Sequence, residues 1–232
     1  MNKTYYVCKY TPIELLAAFG AQCENLNEMP QGFDLADQIA HPNLCGFGKS
    51  LLEAVMSGKV KELVLVNCCD TIRSVYDVLE ESGKLDFLYL VDMLHSEGEC
   101  SRERTVIQLK GLARAYSAYK GTSFDEAAFR AAFHKPDRVN GLHISVLGAQ
   151  MGRELFEMVQ KAMPYPVENE TCVHNRSVGE MLPPEDADFD ELMEWYAGEL
   201  LGQIPCMRMM DNTGRKRLFH DPGLKGIIYH TV

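Results

Sequence analysis

Eight cysteines occur in the 232 residues, and two of them stand side by side in Val64-Leu-Val-Asn-Cys-Cys-Asp-Thr-Ile-Arg73. There an apolar, β-branched run over 62–66 stops at an Asn, two thiols and an acid, then turns into a helical pattern. This reads as a strand feeding a helix, and in open α/β sheets ligands bind just beyond the carboxyl ends of the strands. Cys68, Cys69 and Asp70 therefore sit where chemistry would. In His41-Pro-Asn-Leu-Cys-Gly-Phe-Gly-Lys-Ser50, Cys45 opens a second helical pattern carried by Leu51, Leu52, Val55 and Met56. A helix start offers free N–H groups and the positive end of the dipole, which favour a thiolate or a sulfide-rich cluster. Two thiols at equivalent helix starts make Cys45 and Cys69 a candidate ligand pair. Their wide spacing is unlike the CxxC of a zinc knuckle or ferredoxin.

The other reactive side chains have plainer readings beside functional ones. Cys23 reads as a small buried residue, and Cys172 and Cys206 as further thiols that burial would equally explain. His41 reads as a solvated loop histidine, while Asp70 and Arg73, one turn apart, read as a helix cap and its ion pair. Arg176 could face an anion such as a CoA phosphate or make a structural salt bridge. Residues 145–152 lack both the GxGxxG and the Walker spacing of a phosphate loop, and the acidic run over 185–191 reads as a solvated helix start.

The elements that must position these residues follow from the pattern. Residues 11–20 read as a helix with Thr11 as cap, Pro12 in the first turn and Gly20 at the end; 25–41 read as irregular. Helices are expected over 51–58, 71–79, 101–120, 124–134, 151–163 and 189–201, and strands over 62–66, 85–91, 141–147, 167–172 and 224–230. Such alternation means parallel βαβ units with right-handed crossovers. The expected fold is α/β: two tandem doubly wound parallel-sheet domains of Rossmann or flavodoxin type, with a helical layer between. Lys135-Pro-Asp137 marks the boundary, giving domains 1–135 and 136–232. Residues 226–230 read as a central strand, yet the sequence stops two residues later, so the second domain is expected to be incomplete and shortened at its C-terminus.

Composition bounds the partners. Hydrophobic residues at 46% and charged residues at 24% are ordinary globular values. A net charge of -10 without clustered Lys and Arg argues against nucleic acid. No stretch approaches the roughly 20 apolar residues of a membrane span, and the N-terminus lacks a signal-peptide core, so the expected location is cytoplasmic, where thiols stay reduced.

Six motifs then carry a resemblance. Cys8-Lys-Tyr-Thr-Pro-Ile-Glu-Leu-Leu-Ala-Ala-Phe-Gly20, His41-Pro-Asn-Leu-Cys45, Asn67-Cys-Cys-Asp-Thr-Ile-Arg73, Thr171-Cys-Val-His-Asn-Arg176, Ile204-Pro-Cys206 and Gly226-Ile-Ile-Tyr-His230 run in the order seen in subunits of the 2-hydroxyacyl-CoA dehydratase and benzoyl-CoA reductase family. The likeness, which is to the 2-hydroxyglutaryl-CoA dehydratase D-component type, covers essentially the whole chain. It implies paired subunits, each holding a 4Fe-4S cluster through three cysteines, and a separate ATP-dependent activator that delivers one low-potential electron. That electron makes a ketyl radical on an acyl-CoA thioester and lets the β-proton and hydroxyl leave as water. Matched by residue, Cys45 and Cys69 correspond to the first two cluster ligands. The third normally follows the Gly-Ile-Ile-Tyr-His strand, where this sequence ends, which leaves Cys206, Cys172, Cys68 or a partner chain to supply it. Two other readings stand beside this one: a non-catalytic remnant or partner-binding module with the same fold, and a related cluster-dependent reductase.

Overall fold

The computed structural model describes residues 3–27, 30–96, 98–134, 139–172, 176, 178–179, 181–210 and 213–231. The expected boundary at 135–137 lies outside them, as do residues 173–175 of the Thr171 motif. The first sheet is built from β1 (Thr4–Tyr6), β2 (Cys23–Asn25), β3 (Glu62–Val66) and β4 (Phe87–Val91), all parallel, in the order β2-β1-β3-β4. The second is built from β5 (His143–Gly148), β6 (Val167–Asn169) and β7 (Leu224–His230), also parallel, in the order β6-β5-β7. Both sheets thus place their first strand between the second and the third, the arrangement that opens a crevice at the strands' carboxyl ends. The α/β class with two parallel sheets is as the sequence implied.

β3 is buried along its whole length, and its period-2 alternation serves two cores. Leu63 and Leu65 point into a core with α3 (Gly46–Met56) and α4 (Asp70–Ser82), through Leu51, Leu52, Val55, Ile72, Val75 and Leu79. Val64 and Val66 point into the other, with α1 (Ile13–Ala17), α5 (Glu99–Lys120), α6 (Glu126–Ala131) and α8 (Phe189–Leu201). α8 follows β6 of the second sheet in sequence but packs on α5 of the first half, where Leu192, Met193, Tyr196 and Leu200 are buried and Lys110 pairs with Asp190 at 2.8 Å. α5, α6 and α8 form a helical layer on the first sheet. Short α2 (Ala36–Ile39), α7 (Arg153–Ala162) and α9 (Thr213–Phe219) complete the helices among the described residues. None of these helices is long and apolar enough to cross a membrane.

Several local expectations change. β1 and β2 are three residues each, too short for a periodic signal, and the expectation of irregular structure over 25–41 missed α2. α1 starts after Pro12, and Thr11 makes no cap, its hydroxyl being buried without a hydrogen bond. Cys69 rather than Asp70 is the cap residue of α4, and Arg73 turns to Asp92 at 3.4 Å. The acidic run does start a helix, with Asp188 and Glu191 forming a capping box. β7 is an edge strand and not a central one; it pairs with β5 alone among the described strands, leaving Ile227 and Tyr229 exposed.

Two fixed points hold the sheets in shape. At the start of β3, the buried Glu62 carboxylate accepts hydrogen bonds from Lys120 (2.7 and 2.9 Å), Thr4 (2.7 Å), Tyr116 (3.0 Å) and Tyr119 (3.2 Å). Burial alone would raise the carboxyl pKa, but the Lys120, Thr4 and Tyr116 bonds hold it below the usual value. At the end of β5, Gly148 has φ +105°, and a Cβ there would lie 2.1 Å from the carbonyl oxygen of His230 on β7.

Glu62→Gln is expected to cost about 1–3 kcal/mol of unfolding free energy at pH 7, measured by urea denaturation. Because the folded pKa is depressed, the difference from wild type is present above the unfolded carboxylate value and shrinks as pH falls through the folded one; a pH-independent difference would contradict the assignment. Gly148→Ala is expected to cost about 3 kcal/mol or more, against about 1 kcal/mol for Gly58→Ala, whose Cβ would meet open space. Equal losses in the two variants would refute the close β5–β7 approach.

Candidate functional site

The carboxyl ends of the two sheets face one cavity of about 790 Å³. From the first half come Asn27 after β2, Cys45, Gly46 and Phe47 at the start of α3, and Cys68, Cys69 and Thr71 between β3 and α4. From the second come Ala149 to Leu155 without Met151, leading into α7, together with Cys172, Met207 and Arg208. Direct bonds clamp the two sides. Gln150 donates to Asn27 at 2.5 Å, and the backbone N–H of Lys9, just past β1, donates to the carbonyl of Cys172 at 2.9 Å. Arg176 completes the clamp, donating to the carbonyls of Lys9 and Thr11 and pairing with Glu14 at 2.6 Å, while Tyr196 of α8 donates to the same carboxylate at 2.5 Å. Of the two readings of Arg176, the structure shows the salt bridge.

The thiols are ordered by their surroundings. Cys45 is the cap residue of α3 and Cys69 that of α4, neither with a side-chain cap bond, so both sulfurs sit at the positive ends of helices longer than ten residues. Thr71, in the first turn of α4, has its hydroxyl 3.8 Å from the Cys45 sulfur, which ties the two helix starts together. Cys68 precedes Cys69 directly in sequence and lines the cavity with it. A hydrogen bond from Cys68, opposed by burial and helped by the N–H groups of Ile72 and Thr71 and by Arg208, draws Cys69 down to about 6. Cys68 itself is pushed well up by the Cys69 and Cys8 sulfurs and by burial, and its hydrogen bond lowers Cys8. Burial drives Cys23 and Cys172 up to about 12 each and raises Cys206. Lys9, fully buried, lies 3.7 Å from Glu170, and its charge lowers Cys8, Cys172 and Cys206.

The structure therefore brings Cys45 and Cys69 to one cavity, whose lining also includes Cys68 from the first half and Cys172 from the second. Cys206 does not line it. That thiol is buried in the core that also holds Cys8, and its carbonyl accepts from Arg215 at 2.6 Å, although the next two residues reach the cavity. Cys23 is away from the cavity, as its reading as a packing residue expected, and His41 is exposed on its loop. Sequence reasoning missed Cys8 and Lys9 as neighbours of the site. The signal was Tyr5-Tyr-Val7, three strand-forming residues that make Cys8 the second residue beyond β1. All eight cysteines are free thiols, and among the described residues no three of His, Cys, Asp and Glu are grouped to hold one metal ion. The thiols that line the cavity are donors of the kind that both iron–sulfur clusters and zinc take.

Alkylation with iodoacetamide, mapped by mass spectrometry on the metal-free chain, is expected to label Cys69 with a midpoint near pH 6 while Cys23 and Cys172 stay unlabelled up to strongly alkaline pH. A Cys69 midpoint at the ordinary thiol value of about 8.5 would overturn the helix-start environment described for it.

Comparison with known proteins points the same way as the geometry. No curated protein matches the chain. A family model for the 2-hydroxyglutaryl-CoA dehydratase D-component matches residues 8–147, more than half of the chain, and takes in Cys8, Cys45, Cys68 and Cys69. With two parallel sheets whose strand ends enclose these cysteines, the chain belongs to the 2-hydroxyglutaryl-CoA dehydratase D-component family.

Proposed function

We propose that this chain is the iron–sulfur subunit of an enzyme that removes water from a 2-hydroxyacyl-CoA. Members of its family generally bind a 4Fe-4S cluster and are components of a two-subunit dehydratase that needs an activator. The observation that carries the proposal is the pair Cys45 and Cys69, each capping a long helix and both lining one cavity between the two sheets. When bound, the cluster supplies a single low-potential electron, received from an ATP-dependent activator.

The chain's own residues supply the rest. Cys45 and Cys69 hold the cluster, their helix N-termini stabilising thiolates and the charge of the group they bind. Cys172 or Cys206 gives the third sulfur; lining the same cavity supports Cys172, whereas Cys206 lies behind it beside Cys8. Phe47, Leu155 and Met207 give the cavity apolar wall for an acyl chain, and Arg153 and Arg208 add positive charge beside it. The second dehydratase subunit closes the cavity against water, which strengthens every charge interaction inside it.

Iron and acid-labile sulfide per chain, measured after oxygen-free purification with the partner subunit, tests this reading. Cys45→Ser and Cys69→Ser are each expected to lower bound iron to a minor fraction, and Cys23→Ser to leave it unchanged. Equal iron in all three variants would remove the assignment. Cys172→Ser is expected to lower iron more than Cys206→Ser, and the reverse order would make Cys206 the third ligand.

A further inference from the structure

A second cavity, of about 1490 Å³, lies between α5 and α8 and shares no lining residue with the one that takes in Cys45 and Cys69. The two helices pack antiparallel, with Arg102 against Gly198 and Lys110 reaching Asp190, and their facing turns form a groove. The α8 residues in it, Glu191, Glu194, Trp195, Gly198, Leu201 and Gly202, recur at three- and four-residue intervals, the spacing of one helix face. That stretch is about 16 Å long. Residues 184–187 add a third wall, fixed where Arg130 donates to the carbonyls of Pro184 at 2.6 Å and Glu185 at 3.1 Å. Part of the lining is apolar. Val106 and Trp195 are half-buried, Ile107 is 60% exposed, and the Trp195 ring stands edge-on to Phe133 with centroids 5.0 Å apart. The charge is one-sided: carboxylates of Glu99, Glu103, Glu185, Asp186, Glu191 and Glu194 line the groove against the one guanidinium of Arg102. Glu99, Glu103, Asp186 and Glu194 are exposed and form no ion pair among the described residues.

We propose that this groove docks a basic amphipathic helix of a protein partner. A helix of about three turns matches its length; the Lys and Arg side chains of that helix meet the carboxylates while its apolar stripe covers Val106, Ile107 and Trp195. Charge selects the occupant. Polyanions such as nucleotides are repelled, and a second copy of the chain, with a net charge of -10, brings more negative charge to a negative surface. A small polyamine would neutralise carboxylates but leave Ile107 in water. Since Arg130 and Phe133 already hold the loop and Trp195 in place, docking has little ordering to do on this side. No residue of the groove is assigned to the cluster, so the docking stands or falls independently of bound iron.

Trp195 is the single tryptophan of the chain, so its emission reports on the groove directly. The probe is a synthetic helix of two Leu-Lys-Lys-Leu-Leu-Lys-Leu repeats, free of tryptophan, titrated into the full chain. A saturable change in emission is expected, weakening as salt rises from about 0.01 to 0.15 M and the screening length falls from about 30 to 8 Å. Glu103→Lys with Glu194→Lys is expected to weaken binding about tenfold or more. Asp77→Lys with Glu157→Lys makes the same charge change at exposed positions of α4 and α7 and should alter binding less than about twofold. Ile107→Ala should weaken binding with no change of charge, and a scrambled peptide without the apolar stripe should bind about tenfold more weakly. Unchanged emission, equal effects of the two charge reversals or equal binding of the scrambled peptide would each overturn the proposal. So would a dimer of the peptide-free chain that sedimentation finds in wild type and not in Glu103→Lys with Glu194→Lys, because the occupant would then be a second copy. The salt and scrambled-peptide arms are read on wild type, so a variant that fails to fold does not remove the test.

Discussion

The buried clamp around Arg176 is the contact on which the site depends. One guanidinium reaches two backbone carbonyls of the loop after β1 and the carboxylate of Glu14. Tyr196, from a helix that follows the second sheet, binds the same carboxylate. A planar guanidinium holds its donors in a fixed fork, so the directions in which it serves these three acceptors are set in advance. A charge pair this deep does not by itself make the protein more stable than a packed apolar contact would. What it fixes is position: the loop bearing Cys8 and Lys9 is held against the segment bearing Cys172, and the carboxyl ends of the two sheets stay face to face.

Given that fixed geometry, the thiols differ by environment alone. Cys69 has backbone N–H groups and a helix start beneath it, Cys172 has burial, and Cys68 has the Cys69 and Cys8 sulfurs acting on it. Side chains of one type thus differ widely in proton affinity around one cavity. Thiolate is the metal-binding form of cysteine, so of these three Cys69 is the readiest donor.

Much of this could be read from the residues. The buried run over 62–66 announced β3, and the polar stop at Asn67 with the helical period after it placed Cys69 at a helix start. Cys45 was legible for the same reason. What the sequence concealed lies in short elements and distant pairings. β1 and β2 offer three residues each, so period-2 alternation has nothing to act on, and without β1 the position of Cys8 has no meaning. α8 shows an amphipathic face but not which sheet it will cover, and it covers the first. β7 has the composition of a central strand, but edge position is decided by which neighbours exist, which local pattern does not record.

The cavity draws its lining from Asn27 at one end of the sequence order to Arg208 at the other. All its strands are parallel, so none of its walls closes through a local hairpin, and every pairing must wait for a crossover. In time, then, the site is among the last things to form. The strands of the first sheet are all present in the chain up to Val91, yet until the second sheet docks nothing covers the cavity side of Cys68 and Cys69. A nascent chain passes through an interval in which its most reactive sulfurs are made but not yet enclosed, and the speed of docking sets how long that interval lasts.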